Sequence, residues 1–264
     1  MNSIKEQNPW NIKDVGIYIL LVFCEVLIVW GLIALLSMFG VTAQVQQMLT
    51  SLPQGYAIFF LYLVQTLLFG LPLLFLMQQK RVEKKRESCL FVPTKWYNVL
   101  LVAPGTWIVT MIALGLLFTW FGANNLDVPG FTGEKTQIVN EFGVDLIGRI
   151  LAFVTAVFIA PIIEELVFRG FMLRAFAKHL PVWGAVVASS VLFSAIHVTP
   201  GVFFPLMILG AVMAILTVKT KSIYPAIVFH MINNSMAFVA EVLVQYMPPE
   251  QVSGVIHSIS KLWF

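Results

Sequence analysis

Three groups of polar side chains interrupt the apolar runs of this chain. The stretch "FIAPIIEELVFRGFML" carries Glu164, Glu165 and Arg169. "FSAIHV" carries His197, and "FHMINNS" carries His230 and Asn234. A charge at the centre of a bilayer costs roughly 2.5–3.5 kcal/mol on insertion scales, and such residues usually mark function. Carboxylates and imidazoles move protons to and from water, and an amide can donate to a developing oxyanion. Glutamates, histidines and an amide on separate apolar runs suggest one buried hydrolytic site.

The spacing divides the labour. Glu165 and Arg169 are four apart, on one helix face, with the acid preceding the base in the favourable order. Arginine cannot shed its proton, so the pair is expected to be tight in an apolar setting. Glu164 is turned by about 100° and is left without that partner, which suits a general base acting on water. A structural ion-pair cluster or an ion pathway is the rival reading of the same doublet. Phe193 and His197 share a face of one helix, and His230 and Asn234 share a face of another. Taken singly, each of those pairs is compatible with plain core packing.

The elements that must position these groups are membrane helices. The chain has 264 residues, 59% hydrophobic and 11% charged, against about a quarter charged in soluble domains. Apolar runs lie near 15–39, 56–78, 98–121, 146–168, 182–199, 202–218 and 222–246, the fifth and sixth short. A bilayer span takes about 20 apolar residues, and none of these runs alternates apolar with polar as a barrel strand does. The fold class is therefore all-α, a polytopic membrane bundle of about seven transmembrane helices, with an eighth allowed. One integrated membrane domain divides into 1–144 (three helices and a basic loop), 145–246 (a core of four helices) and a short tail, 247–264. The tail could form a short interfacial helix, with Trp263 and Phe264 at the boundary.

Loop charges orient the bundle. Lys80, Arg81, Lys84, Lys85, Arg86 and Lys95 make one loop basic and place it in the cytoplasm. The next loop carries Asp127, Glu134, Glu141 and Asp145 against Lys135 and falls outside. Arg174, Lys178, Lys219 and Lys221 then return inside, which puts the N-terminus in the cytoplasm and the C-terminus outside. The first apolar run is too long for a signal h-region and reads as a retained anchor. The net charge of +3 is small and clustered, so nucleic acid is not an expected partner. Cys24 and Cys89 read as free thiols.

Height along the helices links the groups. With a turn near Pro181, Glu164 and His197 each lie about 16 residues from it on antiparallel helices, at similar heights. His230 rises from the same side. All three reach roughly 10–15 Å into the cytoplasmic half of the bilayer. Thr199, Pro200 and Gly201 break the fifth helix just after His197, and irregular backbone at that depth needs protein or a wet cavity around it.

Taken together, Glu-Glu-x-x-x-Arg (Glu164, Glu165, Arg169), Phe-x-x-x-His (Phe193, His197) and His-x-x-x-Asn (His230, Asn234) resemble the CAAX protease and bacteriocin-processing family, intramembrane endopeptidases related to the prenyl-protein protease Rce1. "KSIYPAIVFHMINN", with Ser222 and Pro225, is similar to the family's third motif, and the resemblance covers about 145–240. It implies that Glu164 and His197 activate the attacking water and that His230 and Asn234 stabilise the oxyanion. Glu165 and Arg169 would support them, and Phe193 would pack beside the site. The implied substrate is a membrane-associated or lipidated protein or peptide within the bilayer, and the setting that suits the chain is a bacterial plasma membrane.

The metal stays open. Zinc held by Glu164, His197 and His230 is one reading, although no His-Glu-x-x-His motif is present. Water activated by glutamate and histidine without metal is the other, and the chemistry leans toward it. Two rivals to the protease are a non-catalytic regulator or bacteriocin-immunity protein of the same fold, and a small transporter. Transporters often show internal repeats, and none is visible here. Glu25, in the first apolar run, falls outside these motifs; it could face the cavity or pair with a polar group such as Gln65, and a role in the site is the lesser reading.

Overall fold

The computed structural model describes residues 8–80, 92–124, 129, 141–143 and 145–246. Eight helices follow one another among them. They are α1 (Ile12–Met38), α2 (Val41–Ser51), α3 (Gln54–Gln79), α4 (Asn98–Ala123), α5 (Leu146–Ala177), α6 (Val182–Ala195), α7 (Phe203–Thr220) and α8 (Tyr224–Val244). No strand occurs among the described residues. Six of these helical segments are long and apolar enough to cross a membrane, and α6 is a shorter apolar helix. The chain is an integral membrane protein with the helical architecture expected from its apolar runs. Helix α2, a Gln-bearing segment with no strong apolar run, was not anticipated as a helix.

The expected basic and acidic loops lie largely outside the described residues, as do Cys89 and the tail 247–264. What is described fixes the helix ends. At one end Lys80, at the close of α3, bonds Asp14 Oδ2 at 2.6 Å and the Pro9 carbonyl at 3.0 Å. Asn8 Nδ2 donates to the Arg174 carbonyl near the end of α5 at 2.7 Å. Asn11 and Asp14 form a reciprocal cap that starts α1, and Trp10 is buried edge-on to Phe171, 4.9 Å between centroids. Ser222, before α8, donates to the Val92 carbonyl ahead of α4 at 2.6 Å. The N-terminal segment therefore shares one basic end with the close of α3 and α5 and with the turn between α7 and α8.

The opposite end is tied by Glu141. Gln54 Nε2 donates to its carbonyl at 2.7 Å and Tyr62 to its carboxylate at 2.9 Å. There α3 and α5 cross at Gly55 and Gly148. A Cβ on Gly55 would lie 2.7 Å from Gly148 Cα, and one on Gly148 would lie 2.3 Å from the Phe142 carbonyl oxygen. Only glycine permits that approach.

Two features of the helices shape the interior. The first is π-helical winding. Asn98–Val102 opens α4, and Val154–Ile159 and Leu166–Met172 interrupt α5. Pro104 and Pro161 follow the first two. A proline inside a helix donates no N–H and its ring crowds the turn before it, and a π segment accommodates both. The second is the length of α6. Its 14 residues rise about 21 Å, short of the ~30 Å hydrocarbon core. The chain then turns through His197 and a short 3-10 turn, Pro200–Val202, into α7. Val198, next to His197, has φ of 50°, a strained value for a β-branched residue.

Candidate active site

Helix α5 carries the carboxylates on a single α-helical stretch, Ala160–Glu165, between its two π segments. Glu165 and Arg169 are wholly buried and paired, Arg169 Nη1 donating to Glu165 Oε1 at 2.6 Å. Arg169 Nη2 donates to the Gly210 carbonyl on α7 at 3.0 Å, and its guanidinium lies 4.4 Å from the Phe193 ring centroid. The approach that this bond needs follows from glycine, since a Cβ at Gly210 would meet Phe193 and Ser190 at 3.2 Å. Ser189 Oγ, on α6, donates to the Phe168 carbonyl at 3.1 Å. The charge pair thus sits at the junction of α5, α6 and α7.

Glu165 has a second role that the sequence did not reveal. Its Oε1 also lies 3.0 Å from His230 Nδ1. A carboxylate held by an arginine accepts, so Nδ1 carries the hydrogen and Nε2 is turned toward Glu164. The separation from His230 Nε2 to Glu164 Oε2 is 3.9 Å, close enough for charges to interact and too long for a hydrogen bond. His197, in the turn past α6, is oriented by the end of that helix, with Nδ1 2.8 Å from the Phe193 carbonyl. A carbonyl only accepts, so this ring too carries its hydrogen on Nδ1, and in the neutral form Nε2 is the basic nitrogen. Phe193 is the spacer between the two imidazoles, 4.9 Å from the His197 ring and 5.7 Å from that of His230.

Glu164, Phe193, His197, His230 and Asn234 line one cavity of about 300 Å³ between α3, α4, α5, α6, α7 and α8. Glu165 and Arg169 are not among its lining residues and stand behind it. Its remaining wall is mainly apolar, including Met111, Leu114, Phe118 and Leu209, and Phe142 and Tyr62 belong to it as well.

Asn234 is partly committed. Its Nδ2 donates to the Ala156 carbonyl at 2.8 Å. In the π register of α5 the Ala160 N–H bonds the Thr155 carbonyl, five residues back. The next donor in that register would be residue 161, which is proline and has none. The carbonyl left over is that of Ala156, and Asn234 serves it. Asn233, not singled out from the sequence, also lines the cavity. It is buried, its Nδ2 lies 3.4 Å from Asn234 Oδ1, and its own Oδ1 has no hydrogen-bond partner among the described residues. Its spacing of three from His230 was the available signal.

Two readings left open by the sequence bear on the site. Glu25 does not join this cavity, which Gln65 does line, and Glu25 Oε2 is buried without a hydrogen-bond partner among the described residues. No hydrogen bond joins Glu25 and Gln65 among the described residues. As for a metal, catalytic zinc takes three protein donors. Among the described residues no group of three His, Cys, Asp or Glu side chains is gathered to hold an ion. Glu164, His197 and His230 share a cavity wall; Glu165 holds Nδ1 of His230 and the Phe193 carbonyl holds Nδ1 of His197, contacts that orient an imidazole with or without a metal on its other nitrogen.

Comparison with known proteins bears on the same region. Residues 146–236 match the Rce1-like family model, described as type II CAAX prenyl endopeptidase Rce1-like. The matched segment runs from the start of α5 into α8 and contains all three motifs. It supports the family resemblance and, in general terms, a CAAX-type intramembrane protease. A search of curated proteins and a search of solved structures each find no match.

Proposed function

We propose that this chain, Rce1-like over residues 146–236, is an intramembrane endopeptidase that hydrolyses a peptide bond in a membrane-associated or lipidated protein or peptide. One observation carries the reading: a carboxylate from α5, an imidazole from the turn after α6, and an imidazole and an amide from α8 line a single cavity inside the bundle. Glu164 takes a proton from water while His197 Nε2 accepts from the same water and aligns it. The oxygen attacks the scissile carbonyl carbon. The resulting oxyanion is held by the second amide hydrogen of Asn234 and by His230, which in its doubly protonated form donates from Nε2. Glu164 then returns the proton to the leaving nitrogen as the C–N bond breaks. Glu165 and Arg169 are supporting residues, since their pairing fixes the ring of His230.

The basic end, with Lys80, Lys178, Lys219 and Lys221, would face the cytoplasm. Substrate would then reach the cavity through the membrane plane or from that side. The test uses the full chain in liposomes with a prenylated CAAX-type peptide and its unlipidated counterpart. Glu164→Gln and His197→Ala should each lower turnover by about 10²–10⁴-fold while melting like the wild type. Wild-type turnover in both variants would remove the assignment. Equal cleavage of the unlipidated peptide would remove the membrane-bound substrate class.

A further inference from the structure

Two residues lining the cavity carry a buried acceptor without a hydrogen-bond partner among the described residues: Glu164 Oε2 and Asn233 Oδ1. The mechanism above uses the first to take a proton from water. It leaves the second unused.

The polarity of Asn233 is fixed by a chain of contacts that begins at a backbone carbonyl. The Ala156 carbonyl can only accept, so Asn234 must turn its nitrogen toward it. That leaves Asn234 Oδ1 for Asn233, and Asn233 must in turn present its own nitrogen, at 3.4 Å. Oδ1 is then the free terminus of the relay, and it is an acceptor. Reversing the Asn233 amide would set two oxygens against each other. Oδ1 therefore cannot serve an oxyanion, which needs donors. A group that brings an N–H can satisfy it.

We propose that Asn233 Oδ1 accepts the N–H of the scissile peptide bond and holds the leaving nitrogen during hydrolysis, which makes Asn233 a further substrate-binding residue. The proposal rests on the hydrolase reading. The water proton goes to Glu164, the water oxygen bonds to the carbonyl carbon, and the C–N bond breaks with its electron pair on nitrogen. Nitrogen takes the proton from Glu164 as that bond breaks, so it leaves as an amine. Asn233 exchanges no proton; it only accepts a hydrogen bond. The nitrogen passes from planar amide to pyramidal amine through this sequence, and a fixed acceptor keeps its N–H aligned while its lone pair turns toward Glu164. A contact of this kind also selects amides over esters, because an ester offers no N–H and leaves the acceptor unpaired.

The experiment pairs one substitution with one atom of the substrate. Wild type and Asn233→Leu, full-length in liposomes, are given a prenylated CAAX-type peptide and its twin with an ester in place of the scissile amide. Binding of both is also measured in the Glu164→Gln background. Asn233→Leu should lower kcat/KM and affinity for the peptide roughly tenfold and leave the ester within about twofold. Should Asn233→Leu not fold, Asn233→Ala carries the same expectation. Loss of equal size on peptide and ester, or no loss on either, would overturn the contact while wild-type cleavage kept the hydrolase reading. A peptide bound by wild type with the selective loss but never cut would keep the contact and overturn the hydrolase. No binding of the peptide at all would overturn the contact.

Discussion

Glu165→Gln changes one atom type at a site where both partners of an ion pair are fully buried. The variant keeps the shape and an acceptor oxygen for His230 Nδ1, so packing is not the variable. What remains is the Arg169 guanidinium, which cannot lose its proton and has lost its counter-charge. Breaking a buried pair in this way typically costs about 3–5 kcal/mol, because an uncompensated charge stays inside. Two contacts keep the figure within that range. The Gly210 carbonyl still accepts from Nη2 at 3.0 Å, and the Phe193 ring still faces the cation at 4.4 Å. At roughly 2–3 °C per kcal/mol for a chain of this length, the melting midpoint in detergent should fall by roughly 6–15 °C. Removing both charges, in Glu165→Gln/Arg169→Met, should recover most of that loss, since no bare charge is left. The assay is intrinsic-fluorescence or aggregation-detected melting of purified protein, with the single variant and the double variant beside wild type. A single variant as stable as wild type, or a double variant no better than the single one, would refute the argument that Arg169 is stabilised chiefly by this carboxylate.

Three further outcomes follow from contacts elsewhere. Gly148→Ala puts a Cβ 2.3 Å from the Phe142 carbonyl oxygen, and overpacking against backbone should cost about 1–3 kcal/mol in melting experiments. Gly16→Ala, with nothing within 4 Å, is the control and should stay within about 0.5 kcal/mol. Asn234→Leu strands the Ala156 carbonyl, which should cost about 1–3 kcal/mol in stability, and on the proposed mechanism the loss of an oxyanion donor should lower kcat on a lipidated peptide by about 10²–10³-fold. Ser189→Ala removes the bond to the Phe168 carbonyl, which the Leu173 N–H also serves. Its stability loss should therefore be small, about 0.5–1.5 kcal/mol, and its turnover unchanged.

What could be read in advance was what depends on composition and short spacing. The spans were legible as apolar runs, and so was a break near His197, because Pro200 and Gly201 punctuate it, but α6 ends at Ala195 and leaves His197 in the turn beyond it rather than on the helix. The Glu165–Arg169 pair was legible because an i, i+4 spacing fixes a shared face. The contact of Glu165 with His230 was not, since 65 residues separate them and no local rule reports which helix faces which. The place of Glu25 was not legible for a related reason. A carboxylate in an apolar run signals that something offsets its desolvation, but not in which direction the helix turns it. The π segments were missed because hydropathy patterns are read at a period of 3.6, and Pro104 and Pro161 were the only marks of a different winding.

Pro161 deserves to be seen as the start of a causal chain that ends in the site. Its missing N–H and bulky ring are accommodated by a π turn, which shifts the hydrogen-bond register of α5 by one residue and leaves the Ala156 carbonyl unserved. A carbonyl unserved in an apolar interior is costly, so a side-chain donor must be supplied from a neighbouring helix. Asn234 supplies it, and with its nitrogen committed its oxygen must face Asn233, which sets the polarity of the cavity wall two residues further along the relay. On the same helix, the α-helical stretch that follows the proline is the one that carries Glu164 and Glu165. One backbone irregularity therefore orients groups on two helices at once. An amide taken by itself would be free to flip; tied to a backbone oxygen that cannot donate, it has one orientation, and the chemistry available to the cavity follows from that.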